Sequence, residues 1–389
     1  MTKQKRAGMA LTGMFSLLGL THAVAAQELR LLDGRKQSLE LVDALVAEAM
    51  NTADVPGLGV AIIHDGRVAF ARTYGQRNLE LGLPLQKDTV MYGASLTKAT
   101  FAYLVMQLVD EKKITLDAPI GTYLARPLPE YGRYADLKDD ARWNKLTFRI
   151  LLNHTTGFAN FRWIEPDKKL RFHFDPGTRY AYSGEGLQLA QFVLEEGLKL
   201  DVGREMQTRV FDRFGMMRTS MTWRDDFERN FAQGYTETGA LQQHDRRHKA
   251  SAAGSMDTSL GDWANFLAVV ARGEGLSKQA KYEMIRRTIV IDSAKQFPTL
   301  SDERTDRWQA IGLGYAVGWG VFETPYGLAF FKEGHDDGTA NYAVCIAERR
   351  DCILLMSNSV RAEAVFVSLV HKLLGDLPIP AEWEGYGPG

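Results

Sequence analysis

The chain has 389 residues, 45% of them hydrophobic and 24% charged, with 47 Lys and Arg set against 48 Asp and Glu. That length holds one large domain or two lobes, and the ordinary composition excludes a disordered or fibrous chain. A net charge of −1 leaves no basic field to neutralise phosphates, which excludes a nucleic-acid partner.

At the N-terminus a basic head (Lys3, Lys5, Arg6) precedes a short apolar core over 9–20 and the small residues Ala23-Val24-Ala25. This order predicts a secretory signal over 1–26 and export of the mature protein to a periplasm. The apolar core is too short to span a bilayer, and a buried helix is the alternative reading. No transmembrane helix is expected in the mature chain. No cysteine follows the small residues, so no lipid anchor is expected there.

Residues 38–50 repeat Leu39, Val42, Leu45, Val46 and Met50, a one-sided helix. The pattern then changes to Val60-Ala61-Ile62-Ile63, Asp65-Gly66 and Arg67-Val68-Ala69-Phe70, a hairpin signal. Gly93-Ala94-Ser95-Leu96-Thr97-Lys98 follows, in front of an apolar run over 99–109 that is too dense for a solvated helix. Ser95 falls at the first turn of that helix, with Lys98 three residues on. A serine hydroxyl is a poor nucleophile until a base takes its proton. A lysine serves as that base only when desolvation or neighbouring positive charge lowers its pKa. The buried start of an apolar helix offers the first condition and the helix N-terminus the second. The plainer reading makes Ser95 an N-cap, although a capping box would carry Glu or Gln where Lys98 stands.

Residues 116–124 read as a loop and short turn, 146–152 as a helix closed by Gly157, and 175–178 as a turn. Helices are expected over 186–198 and 259–271, and strands return over 314–321, 327–332, 340–347 and 352–357. A closing amphipathic helix spans 361–374. Strands at both ends with helices between predict an α+β fold: one antiparallel sheet built from both termini, flanked by helices, with a mostly helical second lobe. Residues 27–115 and 300–389 then form the α/β lobe and 116–299 the helical one, with the active site in the cleft between them.

Tyr182 follows a Pro-Gly turn and precedes a helix, where a tyrosinate among cations can act as a general base; a core tyrosine is the alternative. Lys332-Glu333-Gly334-His335 ends a strand. Its lysine can bind a substrate carboxylate and the following N–H can face an oxyanion, or the stretch is a solvated strand end. His244 and His248 have helical metal-ligand spacing, but the intervening arginines point to a solvated loop, and His335-Asp336-Asp337 reads as a polar loop rimming a pocket. Cys345 and Cys352 face each other if a turn is centred between Glu348 and Arg349; a disulfide and two reduced thiols both stay open.

Taken together, Ser95-Leu96-Thr97-Lys98, Tyr182-Ser183-Gly184 and Lys332-Glu333-Gly334 stand in the order of Ser-x-x-Lys, Tyr-x-Asn and Lys-Thr-Gly. On these motifs the chain resembles the serine hydrolases of the class C β-lactamase and penicillin-binding-protein type, which include family VIII carboxylesterases and D-amino-acid peptidases. The resemblance implies an acylated Ser95, Lys98 and Tyr182 sharing base and acid duties, and Lys332 and Gly334 at the substrate. It also implies an oxyanion hole from the N–H groups of Ser95 and His335, and no metal or cofactor. Gly184 replaces the usual Asn and Glu333 the usual Thr or Ser. The expected function is an exported hydrolase of an ester or amide, whether β-lactam, D-amino-acid peptide or carboxylester, with turnover of esters above β-lactams because of Gly184. The alternative is a penicillin-recognising sensor, acylated but slow to turn over. A peptidoglycan-like or other small-molecule substrate is implied, and oligomeric state is left open.

Overall fold

The strand Gly57–His64 (β1) is buried at every residue from 57 to 63, so it needs cover on both faces. Its alternate residues divide accordingly. Leu58, Val60 and Ile62 join the apolar cluster of helices Leu39–Thr52 (α1) and Glu363–Leu373. Ala61 and Ile63 join that of helices Leu96–Asp110 (α2) and Leu260–Arg272. Helix Gly184–Leu198 (α3) adds its apolar face to the second cluster, and with it counted, Leu260–Arg272 is α4 and Glu363–Leu373 is α5. The structure, a computed structural model, describes residues 28–386 and Thr2; the secretory signal expected over 1–26 otherwise lies outside the described residues.

The remaining strands are Arg67–Asn78 (β2), Leu83–Pro84 (β3), Ile289–Val290 (β4), Gly314–Tyr315 (β5), Gly320–Thr324 (β6), Gly327–Asp336 (β7), Thr339–Ile346 (β8) and Asp351–Ser357 (β9). They form one sheet in the order β4-β5-β6-β7-β8-β9-β1-β2-β3, antiparallel at every junction. Both ends of the chain therefore meet in its middle, where β9 pairs with β1. The α+β architecture expected from the sequence is the one observed. The sheet also takes β4 from the stretch 116–299, and α4 from that stretch lies against it, with Leu260 facing Gly59.

Turn chemistry explains the local departures. Asp65 and Gly66 both take positive φ (48° and 73°), as a tight hairpin between His64 and Arg67 requires. The single strand expected over 314–321 is two strands. Gly318 at φ 82° reverses the chain, and the Ala316 N–H donates to the Trp319 carbonyl at 2.8 Å. The strand expected to stop at Lys332 continues, paired with β8, as far as Asp336 opposite Thr339. Lys332 is thus mid-strand and fully buried, which corrects both the strand-end placement and the solvated alternative. Cys345 and Cys352 lie opposite each other on β8 and β9 and form a disulfide, with Cα atoms 4.1 Å apart.

Candidate active site

Ser95 sits at the N-cap position of α2, yet its side chain makes no capping bond. The hydroxyl is left for other partners. The residue before it, Ala94, has φ 45°, a left-handed conformation that costs a non-glycine residue about 1–3 kcal/mol unless its surroundings enforce it. Several bonds do so. Gly93 N–H donates to Met256 O at 2.9 Å, Thr97 Oγ1 donates to Ala94 O at 2.6 Å and accepts from Met256 N–H at 3.1 Å, and Asn341 Nδ2 donates to Tyr92 O at 3.1 Å. Gly334 on β7 packs against this turn so closely that a Cβ there would lie 2.8 Å from Gly93 O. The small residue of the third motif is a steric requirement. The Ser95 N–H has no acceptor among the described residues.

Lys98 Nζ lies 2.8 Å from Ser95 Oγ and donates to Ala253 O at 2.5 Å. The side chain is buried, and burial followed by the charge of Lys332 holds its pKa well below the ordinary lysine value. A neutral amine in this position keeps one N–H on Ala253 O and turns its lone pair to the serine proton. The desolvated helix start expected from the sequence is present.

Tyr182 stands between the two lysines, with Lys98 Nζ 4.9 Å and Lys332 Nζ 5.2 Å from its ring centroid. Its ring stacks on His154 (centroids 4.3 Å apart), a buried histidine whose Nδ1 accepts from Ser183 N–H at 3.1 Å. Burial, then the charge of Glu333, pushes the Tyr182 pKa well above the ordinary tyrosine value, while the Ser95 hydroxyl pulls the other way. The phenol is therefore neutral, not the tyrosinate expected among cations. Burial is the first reason and Glu333 the second: its Oε1 accepts from Lys332 Nζ at 2.6 Å and offsets the charge meant to favour the anion.

Ser95, Lys98, Tyr182 and Glu333 line a cleft of about 710 Å³, open solvent at its mouth included, together with Asn160, Phe161, Phe297, His335 and Asp336. His335 Nδ1 bonds Glu363 Oε1 at 2.7 Å, which raises its pKa against the opposing effect of burial. His335 and Asp336 belong to the end of β7, not to a loop. Gly184, at the start of α3, donates its N–H to Asn160 Oδ1 at 2.9 Å. A Cβ on Gly184 would come within 2.3 Å of Phe161 Cε1, so the volume of the missing Asn side chain is taken by Phe161. Asn160, Phe161, Phe297 and the Tyr182-positioning His154 were not singled out in the sequence. The packing of 153–161 against the start of α3 brings in Asn160, Phe161 and His154, and Phe297 comes from a separate segment, its ring centroid 5.6 Å from that of Tyr182.

His244, expected in a solvated loop, is buried instead. Its Nε2 lies 2.9 Å from Asp257 Oδ1, with the ring among Tyr92, Trp223 and Phe231, while His248 is exposed. The aromatic cage draws the ring inward. Among the described residues no three His, Cys, Asp or Glu side chains are grouped to hold a metal ion.

A serine hydroxyl bonded to a buried lysine, in a cleft beside an antiparallel sheet, defines a serine hydrolase of the β-lactamase and transpeptidase fold. The chain belongs to the β-lactamase family, whose sequence model ("Beta-lactamase") matches residues 42–371. It is 26% identical over 317 residues to a β-lactamase of Escherichia coli (strain K12), covering 78% of this chain and 76% of that one. It is 29% identical over 161 residues to esterase EstB of Burkholderia gladioli, a match spanning 41% of this chain and 36% of that esterase. The solved D-alanine carboxypeptidase AmpC of Burkholderia cenocepacia superposes with a TM-score of 0.69 at 18% identity, over 86% of this chain and 97% of that one, a likeness of fold.

Proposed function

We propose that the protein is an exported hydrolase that cleaves an ester or amide through an acyl-enzyme on Ser95. The observation that carries this reading is the 2.8 Å contact between Ser95 Oγ and a lysine whose burial holds its pKa well below the ordinary value. Neutral Lys98 takes the serine proton as Oγ attacks the substrate carbonyl. The Ser95 N–H, which has no protein acceptor, stabilises the developing oxyanion together with the His335 N–H. The Tyr182 phenol protonates the departing oxygen or nitrogen and regains a proton from the Lys98 ammonium. Water then attacks the acyl-enzyme and frees Ser95. The substrate enters the cleft between the sheet lobe and the mostly helical lobe. Export accords with the N-terminal order of basic, apolar and small residues, and a buried disulfide suits an oxidising compartment. No helix of the described residues is long and apolar enough to cross a membrane.

The test is covalent labelling with a fluorophosphonate, read by mass spectrometry, alongside turnover of p-nitrophenyl butyrate and nitrocefin. Wild type should be labelled on Ser95 and turn over the ester. Ser95→Ala should stay folded and take no label. Undiminished labelling of that variant would remove Ser95 as nucleophile. A single stoichiometric adduct without turnover would favour a sensor that binds covalently.

A further inference from the structure

We propose that the cleft selects substrates whose leaving group carries no carboxylate, because the side chain of Glu333 occupies the place, beside the Tyr182 phenol that protonates the departing atom, where Lys332 would receive a substrate anion. The preferred substrate has a neutral leaving group, with an ammonium group there tolerated. This inference rests on the hydrolase reading above and assigns its substrate class.

The three donors of the Lys332 ammonium are all engaged. They reach Glu333 Oε1 at 2.6 Å, Glu333 O at 3.0 Å and Tyr182 Oη at 3.5 Å, and the side chain is 0% exposed. No N–H is left for a ligand carboxylate. Glu333 is itself held from behind by Gln296 Nε2 at 3.2 Å. Its side chain is only 8% exposed yet lines the cleft, and its second oxygen, Oε2, has no hydrogen-bond partner in the protein. A buried carboxylate oxygen without a donor favours a ligand that brings one and disfavours a second carboxylate.

The rest of the wall agrees. Asp336 adds another carboxylate to the cleft, His335 is already bonded to Glu363, and Lys98 is neutral. Phe161, Phe297 and the Tyr182 ring supply apolar surface for an uncharged chain. The departure in the third motif therefore removes the motif's recognition of an anion.

The experiment compares kcat/KM at neutral pH for 4-methylphenyl acetate, 4-(carboxymethyl)phenyl acetate and 4-(trimethylammoniomethyl)phenyl acetate, which share the acyl group and differ in the charge on the departing phenol. Wild type should prefer the neutral ester over the anionic one by at least about tenfold, with the ammonium ester nearer the neutral one. Glu333→Gln, which frees the Lys332 charge, should narrow the neutral-to-anionic ratio about tenfold or more. If that variant does not fold, Asp336→Asn at the rim should narrow the ratio several-fold. A wild type that turns over the carboxymethyl ester as fast as the neutral one would overturn the inference, as would a folded Glu333→Gln with the wild-type ratio. Failure to turn over any of the three would count against the hydrolase reading instead. Their relative protection of Ser95 from fluorophosphonate labelling then decides the charge preference by itself.

Discussion

Replacing Gly184 by Asn restores the side chain that the second motif usually carries, and the structure says what it would meet. The backbone at Gly184 is the start of a helix and has no positive φ, so the backbone accepts an L side chain. The obstacle is Phe161. The new Cβ would lie 2.3 Å from its Cε1 and 2.5 Å from its Cζ, so the ring must retreat by roughly 1 Å to reach ordinary contact distance. Phe161 is stacked on Trp163, whose face is itself exposed, so the pair can swing toward solvent. The cost should then fall in the lower part of the range of about 1–3 kcal/mol typical of overpacking, a Tm lower by about 1–3 °C for a chain of this size. Phe161→Ala removes the clash, so the double variant Gly184→Asn/Phe161→Ala should show a favourable coupling of about 1 kcal/mol in denaturant unfolding. In that background the ratio of p-nitrophenyl butyrate to nitrocefin turnover should fall, because an amide nitrogen needs more help to leave than an activated phenolate. Additive unfolding energies would refute the steric argument. An unchanged ratio in a folded double variant would refute the link between position 184 and substrate choice.

Lys98→Arg should lose at least about 100-fold in kcat/KM, since a guanidinium does not release its proton, and an active arginine variant would exclude Lys98 as the base. In wild type the activity should fall on the acid side as Lys98 gains a proton at its depressed pKa; a flat profile there would contradict a neutral resting lysine. Asn160→Asp should keep the acceptor for Gly184 N–H, and with it the wild-type Tm, while losing the Nδ2 donor on the cleft wall. A lower kcat/KM for amides at unchanged stability is the expected result, and an unaffected kcat/KM would show that Nδ2 does not meet the substrate. His335, followed by NMR, should titrate above the ordinary histidine range, and Glu363→Gln should lower that value. The pair's modest stabilisation is full below the ordinary histidine pKa and disappears as pH rises through the raised one, so a titration unmoved by Glu363→Gln would mean another group holds the proton.

The sequence by itself determined the elements whose signals are local. The helix after Ser95 announced itself by a run too apolar for water, the hairpin at Asp65-Gly66 by its turn residues, and the hydrolase chemistry by three motifs in order. Strands at the two ends were enough to foretell one antiparallel sheet built from both termini, while the closure of β9 on β1 came only with the fold. What lies across the chain stayed hidden. That Lys332 is mid-strand depends on pairing with β8, and that its charge is cancelled depends on where the Glu333 carboxylate turns. The neutral Tyr182 follows from burial and that same carboxylate, neither of which leaves a periodic trace. His244 looked solvated because its neighbours in sequence are charged, whereas its neighbours in space are aromatic. Phe161 fills the volume beside Gly184 from another segment of the chain, 23 positions away as with the Arg162–Glu185 pairing next to it. Periodicity reports only which face of an element avoids water. Which groups meet there, and so which charges cancel and which pKa values move, is decided by distances that only the folded chain sets.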